Sequence, residues 1–181
     1  MYIDSTIYEC APSKEGRLEK EMQCYEILEK LQIPFQRLDH DAVGTIEECE
    51  VIEKKLDMPI YKNLFLCNSK KDQYYLLMMP GHKVFKSSPI ARQIGSTRLS
   101  FGTPEVLEAY LNLTPGSVSL LGLIFDKAHK VKVLLDEAIC QEEYVGCHPC
   151  MNTTSLKLRR QDLVEKFLAY TGHEPTYVTI D

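Results

Sequence analysis

Residues 146–154 (GCHPCMNTT) form the densest group of chemically able side chains in this sequence. Cys147 and Cys150 make a C-x-x-C pair, His148 lies between them, and Asn152 follows. Three kinds of site use such residues: a redox dithiol, one half of a zinc site, and a polar loop that binds a substrate.

The two thiols fit the first two kinds of site poorly. A redox C-x-x-C usually opens a helix, whose N-terminus lowers the thiol pKa, but residues 151–158 (MNTTSLKL) favour a turn and then a strand. A structural zinc site needs four ligands, and the other cysteines are scattered singly. We therefore interpret Cys147 and Cys150 as buried packing residues and expect no metal. His148 and Asn152 are better candidates for substrate contacts, although both residues would also suit a purely structural turn.

Two other segments carry candidate chemistry. Residues 113–119 (LTPGSVS) form a tight turn before an apolar run, and Gly116 allows its backbone amides to approach an oxyanion. Pro-Gly turns before strands are common, so this signal is weak. Lys62 begins an apolar strand; it is either a solvated residue at the sheet edge or a point cation for a phosphate.

The elements that must position these residues alternate between helix and strand without a linker. Apolar spacing and turn residues predict helices over 16–31, from the Thr45/Glu48 capping box to about 56, over 88–95, from Pro104, and over 161–170. Strands are predicted over 35–39, 154–159 and 176–180. Two hairpins are also predicted: one pairs 61–67 with 73–79, and the other pairs 117–125 with 130–136. Because two connections are hairpins, we expect an α+β fold rather than a doubly wound one. The prediction is a single domain over 1–181, with a mixed, partly barrel-like sheet, peripheral helices and an irregular extension over 1–15.

Composition limits the classes of protein that are possible. No apolar run is long enough to cross a bilayer, and residues 1–16 have no apolar signal core, so neither a membrane nor secretion is expected. Seven irregularly spaced cysteines suit a reducing compartment, and we predict a cytoplasmic protein. The net charge of −5 argues against a protein that coats nucleic acid, but a local basic face remains possible.

One stretch of the chain has such a basic character. Residues 73–104 contain no acidic residue and include Lys83, Lys86, Arg92 and Arg98. Residues 157–160 hold a second group of basic residues. These residues are either a surface for nucleic acid or scattered solvated charges.

Taken in order, the motifs resemble the YbaK/prolyl-tRNA synthetase-associated domain family, and most closely its free-standing Ala-tRNA(Pro) deacylases. The resemblance spans roughly residues 20–180 and rests on HDAV at 40–43, TIEE at 45–48, KNLFL at 62–66, LTPGSVS at 113–119, GCHP at 146–149, Asn152-Thr153 and GHEP at 172–175. It implies a deacylase that hydrolyses the ester of mischarged tRNA, with the acceptor end of tRNA(Pro) and prolyl-tRNA synthetase as partners. Neither DNA nor a cofactor is implied.

The resemblance also assigns roles. Lys62 falls on the essential lysine of the family and would hold the 3′-terminal nucleotide or its phosphate. The amides of Gly116 and Ser117 would polarise the ester carbonyl, although Leu120 stands where the family has proline. The substrate-binding residues would be His148, Asn152, Val43 and Thr45. If the substrate is tRNA, the basic stretch described above supplies the predicted tRNA-binding residues, Lys83, Lys86, Arg92 and Arg98.

Two alternatives remain open from the sequence. The chain is either an enzyme or a non-catalytic module that binds tRNA or regulates proline metabolism, for which the Leu120 replacement is the only support. A thiol-redox protein built on Cys147 and Cys150 is the third possibility.

Overall fold

The computed structural model describes residues 1–43, 46–59 and 61–181. Its helices are α1 Glu19–Lys30, α2 Ile46–Leu56, α3 Ser87–Gln93, α4 Pro104–Leu111, α5 Arg160–Asp162 and α6 Ala169–Thr171, with 3-10 segments at Leu120–Phe125 and Glu137–Gln141. A π-helical segment, Leu163–Leu168, joins α5 to α6. The strands are β1 Phe35–Asp39, β2 Tyr61–Cys67, β3 Tyr74–Pro80, β4 Ser100–Phe101, β5 Val131–Asp136, β6 Tyr144–Cys147, β7 Thr154–Arg159 and β8 Pro175–Val178.

The strands form two sheets. The larger has the order β4-β2-β3-β5-β8 and the smaller the order β1-β7-β6. Pairing is parallel between β3 and β5 and between β5 and β8, and antiparallel elsewhere. The α+β prediction is confirmed. The strands of the described residues stay in two sheets and do not close into a barrel.

The predicted helices and strands mostly recur within a few residues. The hairpin of β2 and β3 is confirmed, with Lys62 opposite Met79. Thr103 caps α4 by accepting a hydrogen bond from the Val106 amide. The predicted cap of α2, Thr45, lies outside the described residues, and α2 begins at Ile46. Residues 1–15 contribute isolated bridges to the β1 region, Ile3 with His40 and Tyr8 with Arg37.

The second predicted hairpin is wrong. Leu120–Phe125 is a 3-10 helix, and β5 pairs in parallel with β3 instead. Five consecutive residues of that helix are buried, and a short apolar run of this kind cannot be told from a buried strand by its periodicity. A Cβ on Gly122 would lie 2.7 Å from Leu113 Cδ1, so glycine lets this helix pack against the turn before it.

Asp39 joins the small sheet to the start of α1. Its carboxylate accepts hydrogen bonds from Arg17, Arg37 and Thr154, and the Arg17 contact is 2.7 Å long. Burial alone would raise the pKa of Asp39, but these three donors outweigh burial and lower the pKa. The interaction is therefore fully formed at neutral pH and is lost in acid, as the pH falls through the lowered pKa.

We expect Asp39→Asn to lower the free energy of unfolding by about 3 kcal/mol, because it leaves the buried Arg37 without its charged partner. Urea denaturation at neutral pH measures the change. Glu26→Gln is the matched control, since Glu26 pairs with Lys14 in solvent and should cost little. Equal losses for the two variants would contradict this account of Asp39.

Candidate active site

A small cavity lies where the two sheets and α2 meet. Its volume is about 60 Å³, and its wall combines apolar and polar groups. The residues that line it are Val43, Cys49, Ile52, Met58, Tyr61, Asn63, Gly146, Cys147, His148 and Ser155. The structure thus brings His148 and Val43 together, two of the residues predicted to bind substrate.

His148 directly follows β6 and is held in one orientation. Its Nδ1 lies 2.7 Å from the carbonyl oxygen of Thr154, so Nδ1–H donates and Nε2 carries the free lone pair. Burial lowers the pKa of His148, the nearby His40 lowers it further, and the hydrogen bond to Thr154 opposes both. His148 is therefore neutral at pH 7 and offers an acceptor nitrogen.

A second histidine, His40, supports the cavity from behind. Its Nδ1 lies 2.7 Å from the Asp41 carbonyl oxygen and its Nε2 lies 2.9 Å from Ser155 Oγ. With Nδ1–H donating to Asp41, the Ser155 hydroxyl donates to Nε2 and keeps its oxygen lone pairs for the cavity. His40 is the first residue of the HDAV motif, and the sequence predicts no role for it.

Asn63 is a second cavity residue for which the sequence predicts no role. Its Oδ1 is buried at the cavity and has no hydrogen-bond partner among the described residues. A buried acceptor without a partner is costly unless water or a ligand completes it. Asn63 directly follows Lys62, so the KNLFL motif was the available signal.

Lys62 itself is not among the described residues that line the cavity. Its side chain is exposed, and Nζ donates to the Lys83 carbonyl oxygen at 2.9 Å. Side chains alternate along a strand, so Lys62 and Asn63 project from opposite faces of β2. The structure therefore separates Lys62 from the pocket residues and places its ammonium at the backbone of Lys83.

The Gly116 turn is tied to the His148 loop. A Cβ on Gly116 would lie 3.7 Å from Asn152 Nδ2, and the Ser119 hydroxyl donates to the His148 carbonyl at 2.6 Å. Gly116 has φ +88°, a conformation that suits glycine. The turn, Asn152 and the cavity histidine thus form one connected unit.

The amide of Ser117, which is predicted to polarise the ester carbonyl, has a partner inside the turn. That amide donates to the Thr114 carbonyl oxygen at 3.1 Å, and the Ser117 hydroxyl donates to the same oxygen. These bonds close the turn, so the Ser117 N–H is already used inside it. The Gly116 N–H has no backbone partner among the described residues and is the donor that the turn leaves available.

The basic residues fall into two groups. Lys83 is engaged, because Nζ lies 2.9 Å from the carboxylate of the buried Asp136 and also donates to the Ile180 carbonyl. Lys83 therefore has partners inside the protein, and its binding to tRNA stays a prediction. Lys86, Arg92 and Arg98 are exposed. In the second basic group, Lys157 and Arg160 donate to the carbonyl oxygens of Leu56 and Glu142.

The cysteines of the C-x-x-C pair are buried. Burial raises the pKa of the Cys147 thiol, the reverse of what a redox dithiol needs. The sulfur of Cys150 lies 3.3 Å from that of Cys24 in α1. All seven cysteines are free, and the described residues contain no cluster of metal-ligating side chains. Among those residues, no helix is long and apolar enough to cross a membrane.

Comparison with known proteins shows the family and the class of enzyme to which this chain belongs. Residues 40–167, which include every cavity residue, match the aminoacyl-tRNA editing domain family, and the chain belongs to that family. The family prediction is confirmed. The protein is an enzyme of the aminoacyl-tRNA deacylase class.

Two related proteins and one solved structure are similar to this chain over most of its length. The prolyl-tRNA editing protein ProX of Acetoanaerobium sticklandii is 36% identical over 146 residues, which cover 81% of this chain and 88% of that protein. The prolyl-tRNA synthetase associated domain-containing protein 1 of Danio rerio is 28% identical and covers 91% of this chain and 88% of that protein. A solved structure described as that of a candidate trans-editing enzyme for prolyl tRNA synthetase superposes with a TM-score of 0.68. At 16% identity over 92% of this chain and 99% of the other, it supports the fold.

The neutral state of His148 predicts how stability depends on pH. In the unfolded chain a histidine titrates near pH 6.5, roughly, whereas the pKa of folded His148 is lower. Stability is therefore complete above that pH and declines as the pH falls toward the lowered pKa, since only the unfolded chain binds the proton readily. We expect His148→Asn, which keeps a donor for Thr154, to weaken this dependence in urea unfolding at several pH values. An unchanged dependence would contradict a neutral His148; His40, whose pKa burial also lowers, supplies the remainder.

Proposed function

We propose that this enzyme hydrolyses the ester of Ala-tRNA(Pro) and so removes alanine attached in error to the tRNA for proline. The single observation that carries the proposal is the small cavity with apolar walls and three acceptor groups: Asn63 Oδ1, His148 Nε2 and the Ser155 hydroxyl oxygen. Relatives named for prolyl-tRNA editing support the choice of tRNA.

The acceptor groups suit the α-ammonium of an aminoacyl ester. An ammonium has donors and no acceptor, so it complements a site that offers acceptors. Asn63 Oδ1 is the foremost candidate, because it is buried and unpartnered among the described residues. The side chain of the amino acid would then contact Met58 and Ile52 on the apolar wall.

The Gly116 turn supplies the electrostatic part of the reaction. As the attacking water adds, the ester carbonyl becomes an oxyanion, which a preorganised N–H stabilises. We assign this donation to the Gly116 amide, with Asn152 beside it. Hydrolysis needs no covalent nucleophile if a water is aimed at the carbonyl, and the neighbouring ribose hydroxyl would position that water. His148 is a positioning residue in this scheme.

Lys62 belongs to the nucleotide side of the site. Its exposed ammonium bonds to the carbonyl oxygen of Lys83, three residues before the exposed Lys86. We assign Lys62 to the phosphate of the 3′-terminal nucleotide, which a lysine holds as a point charge. The acceptor end of tRNA(Pro) would then run from this face towards the cavity, and prolyl-tRNA synthetase is a candidate partner that delivers it. Seven free cysteines support a reducing compartment such as the cytoplasm.

Size accounts for the choice of alanine. A synthetase pocket built for proline rejects the smaller alanine by only about 1–3 kcal/mol, so a second and smaller site is needed to correct the error. A Cβ on Gly146 would lie 2.6 Å from Met58 Cε, which shows how closely that side of the cavity is filled. The larger ring of proline would be excluded there.

The Leu120 replacement does not favour a non-catalytic module. Leu120 is fully buried and begins the 3-10 helix after the turn. Packing in the core can hold the end of the loop in place of the rigid ring of proline. We therefore expect the turn to keep its position without the family residue.

The test is deacylation of tRNA(Pro) charged with alanine, proline, serine or cysteine by the wild-type enzyme. We expect fast release of alanine and slow release of proline. Binding of all four without any turnover would contradict the proposal and favour the tRNA-binding module.

A further inference from the structure

An aromatic pair, Phe85 and the exposed Phe101, lies on the same side of the large sheet as Lys62, because Phe101 pairs with Leu66 and Leu66 shares a face of β2 with Lys62. Phe101, in the edge strand β4, is 64% exposed, which is unusual for so large an apolar side chain. The ring centroids of Phe85 and Phe101 are 5.9 Å apart with the planes inclined by 52°. Phe85 packs partly against the core beneath, so it provides a fixed support for Phe101.

Basic residues surround this pair. The Leu99 amide donates to Ser87 Oγ at 2.7 Å, which joins the segment around Lys86 to the segment around Arg98. The turn between β2 and β3 is joined to the same edge, since Ser69 bonds to Thr97 Oγ1 and to the Arg98 carbonyl. That turn adds the exposed residues Lys70 and Lys71, together with Asp72.

The surface is continuous with Lys62. The Lys62 ammonium bonds to the Lys83 carbonyl, and the chain then passes through the exposed Val84 to Phe85. On β2, Lys62 lies four residues before Leu66, which pairs with Phe101. Four residues of a strand span about 13 Å. A few nucleotides of single-stranded RNA span such a distance.

We propose that Phe101, supported by Phe85, is a platform on which an unpaired base of the tRNA 3′ end stacks, while Lys86 and Arg98 hold the adjoining phosphates. The proposal rests on the proposed function, because it places the nucleotide at Lys62 and extends the strand outward from it. Charge indicates the occupant. Residues 73–104 contain no acidic residue, and Lys70 and Lys71 outnumber Asp72 in the adjoining turn, so the surface complements a polyanion. Exposed aromatic rings within a basic groove are how proteins hold single-stranded nucleic acid without reading its sequence.

The absence of tryptophan from the sequence provides a direct probe. Phe101→Trp introduces a single indole at the platform, and Tyr170→Trp introduces one at another exposed aromatic position as the control. Titration with an uncharged single-stranded RNA ending in CCA should quench the fluorescence of Phe101→Trp in a saturable, salt-sensitive way and leave that of Tyr170→Trp unchanged. Equal responses from the two variants, or no response from either, would overturn the platform.

A second measurement separates stacking from general apolar contact. Phe101→Ala should weaken the Kd for the same RNA roughly tenfold, Phe101→Tyr should retain wild-type affinity, and both should keep the wild-type Tm. Wild-type affinity in Phe101→Ala would overturn the proposal and point to a protein partner for this surface. Because the RNA carries no amino acid, the result does not depend on hydrolysis: RNA binding through Phe101 without ester hydrolysis would contradict only the proposed function.

Discussion

Lys62→Ala is expected to lower kcat/KM for Ala-tRNA(Pro) at least about 100-fold, the range seen when a preorganised electrostatic contact is removed. The ammonium lies on the nucleotide side of the site and not in the cavity, so its loss leaves the aminoacyl group without a fixed approach to the Gly116 turn. The measurement is alanine release under steady-state conditions at several concentrations of charged tRNA.

Because the Lys62 side chain is exposed, loss of folding and loss of activity can be separated in this variant. Lys62→Ala should not lower Tm appreciably, because the lysine is exposed and makes a single bond to a backbone carbonyl. Lys14→Ala removes a lysine that is paired in solvent and should leave the rate unchanged. Undiminished turnover by Lys62→Ala would remove Lys62 from the mechanism.

Met58→Ala is expected to raise the ratio of kcat/KM for Pro-tRNA(Pro) to that for Ala-tRNA(Pro) about tenfold or more. Met58 lines the cavity, and its terminal atoms fill the space beside Gly146. Shortening the side chain enlarges the cavity on the side where the proline ring would otherwise clash, and selection by size in an apolar pocket spans roughly 10–200-fold.

Loss of packing must be separated from loss of selectivity in this variant. Truncating a buried methionine costs about 2–5 kcal/mol of stability wherever it lies. Met79→Ala is the matched control, since Met79 is fully buried in a different apolar cluster. Both variants should lower Tm, and only Met58→Ala should accept proline. A gain of proline hydrolysis in both, or in neither, would contradict the assignment of Met58 to the size barrier.

Local signals predicted the elements that local sequence controls. The polar turn before Gln73 predicted the β2–β3 hairpin, and Thr103-Pro104 predicted the start of α4, because turn and cap chemistry depend on a few adjacent residues. Leu120–Phe125 was mistaken for a strand, since its burial comes from packing against distant elements. The four-residue β6 was missed for the same reason: it is defined by its partner β7.

The same distinction between local and distant determinants applies to the residues of the candidate site. The His148 loop and the Gly116 turn were found because glycine, proline and histidine mark a polar turn in sequence. Whether Lys62 or Asn63 faces the cavity depends on the orientation of β2. A shift of one residue along the strand would exchange the two faces, and the sequence does not fix this orientation. The partner of Lys83 is Asp136, which lies 53 positions further on, so no local pattern in the sequence indicates this ion pair.

A structure of the enzyme with a non-hydrolysable alanyl-amide analogue of the 3′-terminal adenosine tests most directly whether this cavity is the aminoacyl site. The alanyl methyl should contact Met58, the ammonium should donate to Asn63 Oδ1, and the carbonyl oxygen should accept from the Gly116 amide. An analogue bound with its alanyl group outside the cavity, and with Asn63 Oδ1 still unpartnered, would contradict the assignment.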